Sequence, residues 1–231
     1  MEAQFIQECH PERSEGSPFV SKGDSLATSQ NDTVIDLGLT DYEIVHKKQL
    51  EIHSSVTSEK SDEIIIITEH YPVYTLGRGE KGTEDQLYGI PVVHVERGGQ
   101  LTYHGPGQIV GYPILNLQKR RLSIPQYLRK LENTLIDALQ ELGVSAEYRE
   151  EHLAGLWVGE KKLVSIGIAV RHWVTFHGFA LNVDCDLTPF HPVNPCGLPG
   201  TQITSLKELG CQVDKEEVKK CVVKNLIQSF F

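Results

Sequence analysis

Seven short apolar runs, too brief for helices and rich in β-branched residues, alternate with only three helical periods, and that ratio leaves few architectures open. Residues 64–68 read as a buried strand bounded by Asp62 and Pro72, with 73–76 as its continuation or partner. Residues 92–95 form another. The stretch 109–117 reads as extended because Gly111 and Pro113 would weaken a helix there. Residues 155–158 and 163–170 predict a hairpin turning at 159–161, followed by a strand over 174–183. Ser123 with Gln126 makes a capping box, and Tyr127, Leu128, Leu131, Leu135, Ala138, Leu139 and Leu142 follow at steps of mostly three and four before Gly143. Thr40 and Glu43 have the same cap spacing, which predicts a helix over 41–53. Val218, Cys221, Val222 and Leu226 mark a last helix. Paired strands with a few long helices and no regular βαβ repetition predict an α+β (mixed α/β) fold, a mixed β-sheet packed with helices.

Residues 1–33 are polar and lack an apolar period, so they are expected to form a disordered tail, with one domain over 34–231. Acidic residues number 31 against 22 basic, and a net charge of −9 disfavours nucleic acid as a partner. The five cysteines form no CxxC pair, which argues for free thiols in a reducing compartment. No apolar run reaches the ~18–20 residues of a membrane span, and the N-terminus has neither secretory nor transit character. A cytoplasmic protein without membrane contact is expected.

Four segments carry the chemistry. RGGQLTYHGPGQ, residues 97–108, has five Gly or Pro among twelve residues, interleaved with Arg97, Thr102, Tyr103 and His104, and reads as a long binding loop rather than a simple turn. It is neither a dinucleotide fingerprint nor a P-loop. Cys196 stands in a Pro-flanked loop, NPCG, as an accessible nucleophile or a plain surface cysteine. Cys185, His191 and Cys196 match no zinc spacing, so no metal is expected from them. Lys162 opens a strand, where half burial would lower its pKa, although a solvated turn lysine is the simpler reading. His177 reads as a core histidine, and the adjacent Gly178 favours close approach of something against that strand.

RGGQLTYHGPGQ, GEKKLVSIG, FHGFALNV and NPCG, in that order, closely resemble the octanoyl (lipoyl) transferases of lipoate biosynthesis, as do LGLTDYE and EHYPVYTLGR. The resemblance covers nearly all of 34–231 and implies a fold similar to the catalytic domain of biotin and lipoate protein ligases. It also implies transfer of an octanoyl group from octanoyl-acyl carrier protein to a lysine of a lipoyl domain or of glycine cleavage H protein. Cys196 would be the acylated nucleophile and Lys162 its neighbour, with no cofactor. The family's acyl-binding residues fall on Arg97, Gly98, Gly99, Gln100, Leu101, Thr102, Tyr103 and His104, on Ser165, Ile166 and Gly167, and on Gly178, Phe179 and Ala180. Leu101, Val164, Ile166 and Phe179 are candidates to line the alkyl tunnel, and Lys119, Arg120 and Arg121 to meet an acidic partner. The competing expectation is an ATP-dependent lipoate-protein ligase of the same fold.

Overall fold

The computed structural model describes residues 33–79, 85–149, 155–193 and 202–231. Its main sheet has six strands in the order β1-β2-β7-β10-β9-β8: β1 (Val34–Thr40), β2 (Ile64–His70), β7 (Gln108–Ile114), β10 (Val174–Asn182), β9 (Lys161–Arg171) and β8 (Gly155–Val158). β1 and β2 run parallel, and every other pair in this sheet is antiparallel. A four-stranded sheet, in the order β4-β5-β3-β6, holds β4 (Gln86–Leu87), β5 (Ile90–His94), β3 (Val73–Leu76) and β6 (Leu101–His104).

Alternation along the strands explains the layers. Ile65 and Ile67 of β2, Ile109 of β7 and Leu181 of β10 enter one apolar cluster with helices α2 (Ile124–Glu141) and α3 (Lys215–Phe230). The intervening Ile66, Val110, Tyr112 and Ala180 meet Val45, Ile52 and Val56 of α1 (Tyr42–Thr57) on the other face. Both faces of the sheet are therefore covered, which is why β2 opens with the unbroken apolar run Ile64–Ile67. Among the described residues no helix is long and apolar enough to cross a membrane.

The mixed α+β fold is as expected, but several local expectations need correction. α2 keeps its full capping box at Ser123 and Gln126. At α1 the cap is Asp41, whose side chain accepts from the Glu43 amide, because Thr40 ends β1 and donates its hydroxyl to Leu37 O. β1 itself carries no strong strand signal and exists by pairing with β2. Residues 73–76 belong to the second sheet, since Tyr71 and Pro72 break the run. The segment 97–108 is no continuous loop: its glycines gather at two ends, and Leu101–His104 pair antiparallel with β3, Thr102 opposite Thr75. Residues 115–117 lie beyond the end of β7.

Candidate active site

A narrow cleft, partly open to solvent, lies where α1, β6, β7, β9 and β10 meet. Its apolar wall is Val110, Ile166, Phe179 and Ala180, and its polar wall includes Tyr42, Arg97, Thr102, His104, Tyr112 and His177. Such a cleft suits an apolar chain with one polar end.

Glycines make the close approaches. A Cβ at Gly178 would stand 2.1 Å from Gly111 O, and one at Gly111 would stand 2.3 Å from the Phe179 ring. A Cβ on Gly167 would come within 2.8 Å of Arg97 Cδ, so Gly167 leaves room for the arginine to lie over β9.

One series of hydrogen bonds sets the polar wall. Arg97 donates to Thr75 Oγ1 at 2.8 Å and to Thr75 O at 2.7 Å. Gln108 donates to Tyr103 O and, at 2.9 Å, to Asn182 Oδ1, so its own Oε1 must accept from His104 Nδ1 at 3.1 Å. Neutral His104 then accepts from Thr75 Oγ1 at 3.4 Å through Nε2. Asn182 passes the series on to Thr204 O at 2.9 Å. Complete burial holds the His104 pKa well below the ordinary histidine range. Burial likewise lowers His70 to about 4. His70 Nδ1 donates to Thr40 O, so Tyr112 donates to Nε2 at 2.7 Å. Burial first, with Arg97 opposing it, raises Tyr42 far above a usual phenol.

The sequence-named residues separate by strand alternation. Thr102 and His104 face the cleft, whereas Leu101 and Tyr103 join the small-sheet core with Tyr74 and Phe190. Ser165, Ile166, Gly167, Gly178, Phe179 and Ala180 border the cleft. Val164 is packed in the main core instead, and Gly98, Gly99 and Gln100 lie outside the cleft lining. Gly98 donates its amide to Ile168 O, and Gly99 O accepts from Gly79, where a Cβ would approach to 2.8 Å. Tyr42, Val110 and Tyr112 were missed because each carries only the apolar signal of its own element, and His177 is a cleft wall as well as a buried histidine.

Lys162 is not half-buried at a strand edge: it is 1% exposed, with Nζ 5.8 Å from the Trp157 ring centre. Gly155 makes its berth, since a Cβ there would stand 2.4 Å from Lys162 Cε. Lys162 bridges Ile203 in parallel and its carbonyl accepts from Thr204. Cys196, with the rest of 194–201, lies outside the described residues. Of the described cysteines, Cys185 is pushed up to about 12 by burial, which makes it a poor nucleophile at neutral pH. The basic run is partly neutralised: Lys119 pairs with Glu59 at 3.3 Å and Arg120 with Glu63.

The family described as lipoyl protein ligase A/B catalytic domain matches residues 41–227. The chain belongs to that family. An octanoyltransferase of Pelobacter propionicus is 44% identical over 190 residues, covering 81% of this chain and 90% of that protein. This chain of the lipoyl protein ligase A/B family is an acyltransferase. In fold it is similar to a lipoate protein ligase of Thermoplasma acidophilum, with TM-score 0.61 and 15% identity over 85% of this chain and 82% of that one. It is similar also to biotin protein ligase of Aquifex aeolicus, with TM-score 0.53 and 14% identity over 87% and 71%.

Proposed function

We propose that this chain is a cytoplasmic octanoyltransferase that moves an octanoyl group from octanoyl-acyl carrier protein to a lysine of lipoyl domains or glycine cleavage H protein. The observation that carries this is the 44% identity to an octanoyltransferase along most of both chains. The cleft fits the reading: its apolar wall takes the alkyl chain, at ~0.8 kcal/mol per buried methylene, and its polar wall meets the thioester end. Lys162, buried beside Ile203, is the lysine that the reading pairs with Cys196.

The reaction runs in two balanced steps. The Cys196 thiolate attacks the donor thioester, an S–acyl bond forms on the enzyme, and the carrier's C–S bond breaks as its sulfur takes a proton from the Lys162 ammonium, leaving Lys162 neutral. An ammonium at Lys162 stabilises the thiolate before attack. The target lysine amine then attacks, an amide forms, and the Cys196 sulfur leaves while Lys162 accepts the amine's proton. Neither step consumes a nucleotide.

Intact-protein mass spectrometry after mixing with octanoyl-acyl carrier protein tests this. The wild type gains one octanoyl group and passes it to a lipoyl domain, whereas Cys196→Ala gains none. Full activity in Cys196→Ala overturns the cysteine relay, and activity with free octanoate and ATP alone would identify a ligase instead.

A further inference from the structure

At the edge of the cleft, three side chains from separate parts of the chain converge, one of them the cleft-lining His177. His46 projects from α1, Glu96 follows β5, and His177 comes from β10. His46 Nε2 and His177 Nε2 approach the same carboxylate oxygen, Glu96 Oε2, at 3.0 and 3.3 Å, and all three ligand atoms lie within 4.8 Å of one another. The two imidazole rings stack with centres 5.4 Å apart and planes 20° from parallel, so both present the same edge to the carboxylate.

We infer that His46, Glu96 and His177 form a binding site for a divalent transition-metal ion, with Zn²⁺ as the best-matched class. Two ligands on one metal at ~2.0–2.2 Å and ordinary tetrahedral or octahedral angles stand about 2.8–3.6 Å apart, which brackets both nitrogen-to-oxygen separations. Two imidazoles and one carboxylate are also the donor set that Zn²⁺ and its neighbours accept, leaving further positions for water. Each imidazole needs only its other tautomer, with the proton on Nδ1, to offer Nε2 as a ligand.

Support comes from around the trio. Gln49 Oε1 accepts from the His177 backbone amide at 2.9 Å, and His177 holds φ +56°, an uncommon conformation outside glycine. These fix the direction of the most buried ligand, while His46 and Glu96 keep 18% and 31% of their side chains exposed, which leaves an entry path. The neighbouring cation, Arg97, engages Thr75 and Gly98 O with its guanidinium. The metal would staple α1, the segment after β5 and β10 together along the cleft's edge. The zinc spacings sought among the cysteines are no guide to it, since these ligands are fifty and eighty-one positions apart in sequence.

The full chain is titrated with Co²⁺ while visible absorption is followed, and with Zn²⁺ by calorimetry. One equivalent should bind to the wild type, with a Co²⁺ spectrum free of thiolate charge-transfer bands. His46→Ala and Glu96→Gln should each weaken binding by about tenfold or more. Zn²⁺ should raise the melting temperature of the wild type but not of folded His46→Ala, because only the former binds it in the native state. Undiminished affinity in both variants, a thiolate band, or no binding to the wild type would overturn the site.

Discussion

At the scale of single residues, the cleft depends on atoms that are absent. Gly178→Ala would drive a Cβ into Gly111 O, a backbone atom of the neighbouring strand, so β7 and β10 must part. Destabilisation of about 1–3 kcal/mol is expected from overpacking, read as a lower urea midpoint. An unchanged midpoint would contradict the packing described. His70 offers a test by pH. Its folded pKa of about 4 is depressed from 6.5, so the unfolded chain binds more protons between those values. Its neutral burial is least costly above pH ~6.5 relative to unfolding, and stability should fall by roughly 3 kcal/mol as pH drops through that window to about 4. Urea midpoints from pH 7 to 4 should show the slope, and His70→Gln should lessen it by the share His70 contributes, the rest belonging to other buried histidines such as His104. Part of this site was legible in the sequence. Thr102, His104 and Gly178 stand where unusual residue types meet a strand, whereas Tyr42 and His46 look like ordinary positions of a helix. Their convergence is made by tertiary packing, which no local spacing encodes.

At the scale of elements, local signals sufficed where an element carries its own ends. α2 has its cap, its apolar face and Gly143 at φ +77° just beyond. Ser123→Ala should cost about 1 kcal/mol by removing the acceptor for the Gln126 amide, measured by thermal or urea unfolding. Asp41→Ala should cost a similar amount at α1, while Thr40→Ala should leave that helix's cap intact, which separates the observed cap from the spacing-based one. The hairpin of β8 and β9 was equally readable, since Gly159 takes φ +55° at its turn. β6 was not. Four residues between two glycine clusters become a strand only because β3 lies alongside, and β1 likewise waits for β2. Strand identity in such cases belongs to the pair.

At the scale of the whole molecule, the chain's last turn is tied to its middle. Arg120 donates to Phe230 O and to Glu63, and Glu63 also accepts from the Asn116 amide at 2.6 Å. Arg120→Ala should free the end of α3, with faster hydrogen exchange over the last turn and a loss of about 1.5–3 kcal/mol for the charged hydrogen bonds. Exchange rates equal to wild type would rule out this tether. The series from Arg97 through Thr75, His104, Gln108 and Asn182 to Thr204 has a larger consequence. Every hydrogen in it points away from the guanidinium, and neither amide can turn over alone without setting donor against donor. The guanidinium can only donate and the Thr204 carbonyl only accept, so the row keeps a single direction and joins Thr204, beside Lys162, to the imidazole on the far wall.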